Sequence, residues 1–259
     1  MIIVKIIGII VYFFLFFVKG FAISFFVADK NRRHRLHSYN TAHSCNRMAK
    51  LLGLDITLNN PDEWEKLKRN NYLVVSNHVS YLDIVIMTAI NPFLFITSTD
   101  MKNVAFIGKV TELGGSLYTD RKKFTGIKGE ITNFAQYLKD GFNVVLFPEA
   151  TSTDGKELRK FKKSLYQIAI EANKPILPMC IKYTTNNGKP IDDSNRDNLY
   201  WYGDMGFLPH FWRLIKTRRT TIEITILDEI KVTPESNRKD LCEESFEMIN
   251  SKYHSYKNL

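Results

Sequence analysis

The sequence predicts one α/β domain with a mixed, largely parallel sheet flanked by helices, preceded by an N-terminal hydrophobic membrane-anchor helix. Three observations lead to this prediction. Short apolar runs that fit buried strands alternate with stretches whose apolar residues recur at helical spacing. The first 27 residues are dominated by apolar side chains. The chain has 259 residues and is 44% hydrophobic, which is enough for one large core.

Residues 1–27 are predicted to be an uncleaved membrane anchor. The uninterrupted apolar run 6–18 is 13 residues long, shorter than the roughly 20 residues of a simple span. Spanning and half-inserted arrangements therefore both stay open. A cleaved signal peptide is a weaker alternative, because the apolar region is long and no small-x-small site after it is convincing. Basic residues after it favour the inner (cytoplasmic) membrane, with the rest of the chain facing the cytoplasm: Lys30, Arg32, Arg33 and Arg35.

The remaining chain is expected to divide into a basic linker and helix, residues 28–60, and one domain, residues 61–259. Residues 40–53 are predicted to be helical, with Gly53 as the C-cap. The run 221–227 alternates with period two and predicts a half-exposed strand at a sheet edge. Other predicted strands are 72–76, 93–97, 116–119, 143–148 and 175–181. Other predicted helices are a short one from about residue 61 and those at 84–90, 103–113, 125–140, 161–172 and 234–254.

The formal charge of +9 is concentrated in residues 28–50, 156–163 and 213–219. A basic face suggests an anionic partner, namely nucleic acid, membrane headgroups or a phosphorylated substrate. Nucleic acid ranks lowest, because the basic clusters adjoin the membrane segment and the candidate site. The three cysteines are far apart, so a disulfide framework or zinc site is not expected. No cofactor and no metal are expected.

His78 and Asp83 are the first candidate site residues. His78 follows the strand 72–76, and Asp83 precedes the apolar helix 84–90. Ligands bind at the carboxyl ends of strands in open α/β sheets. Asp83 can accept the N–H of the ring, which fixes the tautomer and raises the basicity of the other nitrogen. In the alternative interpretation Ser80 is an N-cap and Asp83 only binds backbone N–H groups.

Two further polar residues, Arg121 and Glu149, also follow predicted strands. If the strands are neighbours, these side chains converge on one cleft with His78. Arginine can bind a phosphate or carboxylate with two hydrogen bonds, although a structural ion pair with Glu149 stays an alternative. The sequence contains no Gly-x-Ser-x-Gly elbow, Walker loop or Gly-x-Gly-x-x-Gly motif. We therefore expect the histidine to activate an acceptor hydroxyl directly.

Four segments in order carry a resemblance to a known family: Asn77-His78-Val79-Ser80-Tyr81-Leu82-Asp83, Gly115-Ser116-Leu117-Tyr118-Thr119-Asp120-Arg121, Phe147-Pro148-Glu149-Ala150-Thr151-Ser152 and Leu177-Pro178-Met179. Over about residues 70–185 the chain resembles the glycerolipid acyltransferases, of which 1-acylglycerol-3-phosphate acyltransferase is the best-known member. Residues 201–210 resemble a bacterial subgroup that includes ornithine-lipid acyltransferases. Ala150 replaces the family's usual glycine, and Ser152 replaces a common arginine that is expected to help bind the acceptor phosphate.

The resemblance implies that His78 is the general base and that Asp83 orients it. It implies acyl transfer from acyl-CoA or acyl carrier protein to a lysolipid at a membrane. The first candidate acceptor is 1-acyl-sn-glycerol-3-phosphate, and lyso-ornithine lipid is the alternative. An inactive membrane-bound anion-binding protein is an alternative of another class. The residues expected to bind substrate are Asn77, Ser80, Gly115, Arg121, Glu149, Ala150, Thr151 and Pro178.

Overall fold

The chain begins with a long apolar helix, α1, Ile2–Phe26. The structure, a computed structural model, describes residues 2–104, 106–120 and 127–253. By length and composition α1 can cross a membrane. Many of its apolar side chains are exposed, whereas Gly8 and Gly20 lie against Leu51 and Leu113. One side of the predicted anchor helix therefore packs on the rest of the protein.

The basic segment after α1 forms a second helix, α2, Lys30–Leu52. It begins ahead of the predicted residue 40 because the Asp29 side chain accepts a hydrogen bond from the backbone N–H of Arg32. It ends as predicted at Gly53, which has φ of 80°. A Cβ atom there would lie 2.1 Å from the carbonyl oxygen of Arg218, so both the backbone conformation and the close approach require glycine.

The sheet is mixed and largely parallel, as predicted. Its strands are β1 Leu54–Asn59, β2 Leu73–Ser76, β3 Leu94–Ser98, β4 Leu117–Thr119, β5 Val144–Leu146, β6 Ile176–Asn186, β7 Lys189–Pro190 and β8 Thr220–Ile226. The order is β1-β8-β6-β2-β5-β3-β4, and β7 pairs with β6. Strands β6, β2, β5, β3 and β4 run parallel to one another, and β8 is antiparallel to β6. The carboxyl ends of the five parallel strands therefore lie in one row along the sheet, which we call its carboxyl edge.

The predicted edge position of β8 is wrong. The strand does alternate between buried and partly exposed residues, but β1 pairs with it in parallel on its outer side. An alternating pattern shows only that one face is less covered, which an internal strand can also satisfy. β1 has no counterpart among the predicted strands, so the predicted edge of the sheet lies one strand inside the real one.

Helices cover both faces of the sheet and bury two apolar layers. They are α3 Pro61–Arg69, α4 Leu82–Ile90, α5 Ile107–Leu113, α6 Ile127–Lys139, α7 Gln167–Ala172, α8 Phe207–Lys216 and α9 Arg238–Lys252. In β2, Val74 belongs to the layer that contains residues of α2, α4 and α8. Its neighbours Leu73 and Val75 belong to the layer with α6, α7 and α9. Because adjacent strand residues point to opposite faces, this central strand fits only between two covered faces.

The expected division into an anchor (1–27), a basic linker and helix (28–60) and one domain (61–259) stays a prediction. Within the middle segment, α2 packs against α1 and α4, and β1 pairs with β8. Residues 28–60 therefore contribute a helix and an outer strand to the same folded unit.

Candidate active site

Asp83 lies in the first turn of α4, directly after the loop that joins β2 to this helix. Its carboxylate is fully buried. The Oδ2 atom accepts hydrogen bonds from the backbone N–H groups of Val79 and Ser80, at 2.8 and 2.9 Å. It also lies 2.8 Å from Nδ1 of His78. The carboxylate thus binds backbone N–H groups of the loop and also contacts the ring. Both functions considered for Asp83, backbone binding and orientation of the histidine, therefore occur in one side chain.

The His78 ring is held on two sides. A carboxylate can only accept, so Nδ1 carries the proton toward Asp83 and Nε2 presents a lone pair. The ring stacks on Phe147, with centroids 4.1 Å apart and planes 11° apart. The side chain is 17% exposed, so a substrate can reach the ring. This is the arrangement that a general base requires: a fixed tautomer, a fixed plane and a ring that is partly exposed.

Asn77 and Ser80 hold the same loop to its neighbours. The Asn77 side-chain amide donates to the carbonyl of Ile181 at 2.9 Å and accepts from its N–H at 2.8 Å. It therefore extends the pairing of β2 with β6 beyond the last strand residue. The Ser80 hydroxyl oxygen accepts from the N–H of Leu82 at 3.3 Å, but the N-cap of α4 is Tyr81, so the interpretation of Ser80 as the N-cap is wrong. Their substrate contacts stay predictions.

Glu149 fixes the backbone of His78 from the next loop. One carboxyl oxygen accepts from the N–H of His78 at 2.7 Å, and the other accepts from the N–H of Arg159 at 3.0 Å. The N–H of Thr153 donates to the carbonyl of His78 at 3.0 Å. Burial raises the pKa of Glu149 to about 7, although the two N–H donors lower it. Glu149 is thus bonded to the backbone of His78 and Arg159, and Arg121 lies outside the described residues.

The turn after β5 gives a physical reason for the glycine that the family resemblance implies at position 150. Ala150 has φ of 63°, and its N–H donates to the carbonyl of Phe147 at 3.0 Å. Side chains larger than hydrogen are strained in this left-handed region. Thr151 follows and is exposed, whereas Ser152 is buried. Of these two residues, Thr151 is the one that a substrate can approach from solvent.

The other predicted residues lie elsewhere or outside the described chain. Gly115 precedes β4, so it lies at the amino end of a parallel strand, away from His78; its φ is 77°, and a Cβ atom would lie 3.3 Å from Leu94. Pro178 is buried inside β6 and pairs with Val75. The structure therefore brings His78, Asp83, Asn77, Ser80 and Glu149 together, but places Gly115 and Pro178 apart from them.

Known proteins show the same combination of sequence and fold. The Acyltransferase family model matches residues 56–182. The 1-acyl-sn-glycerol-3-phosphate acyltransferase of Neisseria gonorrhoeae is 31% identical over 183 residues, which are 70% of this chain and 69% of the relative. The chain belongs to the acyltransferase family.

Further relatives of this acyltransferase differ in the acceptor that they are named for. The lyso-ornithine lipid O-acyltransferase of Rhizobium meliloti is 28% identical over 198 residues, 74% of this chain and 66% of that protein. The chain thus spans about two thirds of the length of the curated relatives it matches. The crystal structure of the 1-acyl-sn-glycerophosphate (LPA) acyltransferase from Thermotoga maritima matches with a TM-score of 0.61 and 18% identity, over 96% of this chain and 95% of that one. That likeness concerns the fold alone.

Sequence reasoning missed two contacts of the acyltransferase site. The Tyr183 hydroxyl, on β6, donates to Oδ1 of Asp83 at 2.7 Å. The Tyr81 hydroxyl is hydrogen-bonded to Nδ1 of His210 at 2.9 Å, and burial lowers the pKa of His210 to about 4. Ile181 and Tyr183 are two residues apart on one strand, so they lie on the same side of it. This spacing could predict the contact of Tyr183 with Asp83 only once β6 was known to lie beside the loop after β2.

Proposed function

We propose that this acyltransferase moves a fatty acyl group from a thioester, acyl-CoA or acyl carrier protein, to the free hydroxyl of a lysolipid. The observation that carries the proposal is the contact between His78 Nδ1 and Asp83 Oδ2 at the carboxyl edge of the sheet. The two 1-acyl-sn-glycerol-3-phosphate acyltransferases of Neisseria, each 31% identical, support 1-acyl-sn-glycerol-3-phosphate as the first acceptor. Its product would be phosphatidic acid.

In the proposed mechanism, Nε2 of His78 takes the proton of the acceptor hydroxyl. Asp83 stabilises the resulting imidazolium through the Nδ1 hydrogen bond. The alkoxide oxygen forms a bond to the thioester carbonyl carbon, and the carbon–sulfur bond breaks. The proton then passes from His78 to the departing sulfur, which leaves as a thiol. General-base assistance of this kind contributes about 10²–10⁴ in rate.

Glu149, Asn77 and Ser80 are proposed to position the loop that carries the base. A basic loop, residues 156–163, lies beside it because the N–H groups of Arg159 and Lys162 donate to Glu149 and Pro148. The side chains of Arg159, Lys160, Lys162 and Lys163 are exposed. Their charge supports binding of an anionic donor or acceptor headgroup. The same role is proposed for Arg121, which lies outside the described residues, and direct substrate contact is proposed for Thr151.

A second acceptor, lyso-ornithine lipid, is supported by two observations. Ser152 stands where the family resemblance implies an arginine in many members, and several relatives are lyso-ornithine lipid O-acyltransferases, one of them 31% identical over 163 residues. A headgroup without phosphate would not need that arginine. The two acceptors are therefore tested side by side.

The proposed location is the inner membrane, with the acyltransferase domain facing the cytoplasm. The apolar α1 and the basic residues at the start of α2 support it. In this arrangement the site works where the lysolipid and the acyl product reside.

The decisive experiment supplies membranes containing the full chain with acyl-CoA or acyl carrier protein and a panel of lysolipids. We expect a diacyl product from one acceptor, and a loss of about 10²–10⁴ in rate in His78→Ala. The matched control is His43→Ala, which removes an exposed histidine of α2. Equal turnover by His78→Ala would exclude the mechanism. Thiol release without acylated lipid would indicate a thioesterase, and lysolipid binding without turnover would indicate an inactive binding protein.

A further inference from the structure

Helix α8, Phe207–Lys216, connects the candidate site to the N-terminal helix. At its start, Phe207 packs on Tyr81 with ring centroids 5.3 Å apart, and Tyr81 lies in the loop between His78 and Asp83. At its end, the carbonyl of Thr217 accepts a hydrogen bond from the Lys5 ammonium at 2.6 Å. A displacement of α8 would therefore act on both α1 and the loop that carries His78.

The outer face of α8 is apolar and exposed, although its inner face belongs to the core. His210, Leu214 and Ile215 are buried. On the outside, Leu208 is 75% exposed and Trp212 is 47% exposed. These two residues and Lys216 are spaced four apart, so they form one stripe along the helix. We call this set the α8 stripe.

The charge of the α8 stripe indicates what it contacts. The Lys216 ammonium lies 5.4 Å from the centroid of the Trp212 ring, and Arg218 is exposed just beyond the helix. No acidic residue occurs from Met205 to Ile222. An apolar stripe with tryptophan next to basic side chains is typical of helices that lie in the interface of an anionic bilayer. The adjoining α1 also exposes apolar side chains.

We propose that the α8 stripe lies on an anionic lipid surface as a second membrane contact, in addition to α1. Leu208 and Trp212 enter the boundary between headgroups and acyl chains, and Lys216 and Arg218 face the lipid phosphates. The inference deepens the proposed function and rests on it, because a lysolipid acceptor lies in this boundary. Docking of α8 fixes the height of Tyr81, and with it His78, above the bilayer.

Tryptophan quenching by brominated lipids tests the proposal. The full chain is reconstituted in nanodiscs of phosphatidylcholine and phosphatidylglycerol that carry bromine near the top of the acyl chains. The chain has three tryptophans, so the Trp212 signal is taken as the difference between the wild type and Trp212→Phe, which keeps an apolar ring. We expect strong quenching of the Trp212 component, and weaker quenching when bromine lies at the bilayer centre. Equal quenching of the wild type and Trp212→Phe would overturn the proposal.

Two charge reversals sharpen the test. Lys216→Glu should shift the docking equilibrium at least roughly fivefold toward the undocked state in phosphatidylglycerol nanodiscs. Lys252→Glu is the matched control, because Lys252 is exposed in the last turn of α9, on the other face of the sheet. Identical quenching in the two variants would exclude the charge contact. A Trp212 signal that responds to acyl carrier protein and not to brominated lipid would assign the stripe to a protein partner. The quenching does not depend on turnover, so absence of lysolipid acylation with normal quenching would reject only the proposed function.

Discussion

The Tyr183 hydroxyl donates a hydrogen bond of 2.7 Å to Oδ1 of Asp83, across 100 residues of sequence. Asp83 uses its other oxygen, Oδ2, for His78 and two backbone N–H groups. Both oxygens of this buried carboxylate are thereby satisfied, which is the condition for keeping a charge in the interior. Tyr183 thus acts on the histidine only through Asp83.

Replacing Tyr183 with phenylalanine should move the acid limb of the pH–rate profile to higher pH. Without its hydrogen bond, the Asp83 charge is less neutralised and stabilises the His78 imidazolium more strongly; about 1.4 kcal/mol of such a change corresponds to one pH unit. Stability should also fall by about 1–3 kcal/mol, because one buried oxygen is left without its donor.

The matched control for this substitution is Tyr166→Phe. The Tyr166 hydroxyl is fully buried and hydrogen-bonded to Ser245 at 2.6 Å. Its loss should lower stability but leave the acid limb in place. A Tyr183→Phe enzyme with reduced stability and an unmoved acid limb would show that Tyr183 supports the fold alone.

Glu149 should make stability depend on pH in a defined window. Burial raises its pKa in the folded protein from 4.5 to about 7, so between these values the folded state holds a proton that the unfolded state has released. Stability therefore falls as pH rises from about 4.5 to 7, by up to about 3 kcal/mol. Urea unfolding of wild type and Glu149→Gln at several pH values from 5 to 8 measures it. Glutamine does not titrate, so the excess free energy of unfolding of the wild type over Glu149→Gln should shrink or reverse with rising pH. A difference that stays constant with pH would contradict the prediction.

Ala150→Gly should stabilise the protein by about 1 kcal/mol. Ala150 has φ of 63°, where a Cβ atom costs about 1–2 kcal/mol, partly offset by the greater freedom of glycine in the unfolded chain. Thermal unfolding should show a rise in Tm of about 2–4 °C. Asn173→Gly is the control, because Asn173 has φ of 49° and asparagine tolerates this region. A gain at residue 173 as large as at residue 150 would argue against strain at Ala150.

Lys5 should hold α1 to the rest of the protein. Its ammonium donates to the carbonyls of Leu52 at 2.8 Å and Thr217 at 2.6 Å. These carbonyls lie at the ends of α2 and α8, where the helix dipoles favour a cation. We expect Lys5→Met to raise the rate of hydrogen exchange in detergent at the backbone amides of Leu52, Gly53 and Thr217. The expected loss in local stability is about 2–3 kcal/mol. Lys19→Met, which removes an exposed charge of the same helix, should leave that exchange unchanged.

The local features of this protein follow from its amino-acid sequence alone. Apolar periodicity predicted most strands and helices, because each depends on residues close together in the chain. His78 and Asp83 are five residues apart, so one turn between β2 and α4 suffices to bring them together. Gly53 ended α2 as predicted, because a left-handed cap is a local conformation.

Tertiary structure alone decided which distant groups meet. β1 lies outside β8 at the edge of the sheet, and β6 places Tyr183 next to Asp83. Glu149 reached the backbone of His78 because β5 pairs beside β2. Such contacts follow from strand order, which depends on the packing of the whole core and not on any one segment. The exposed stripe of α8 has the same origin, since a helical pattern does not show which apolar residues the rest of the protein leaves uncovered.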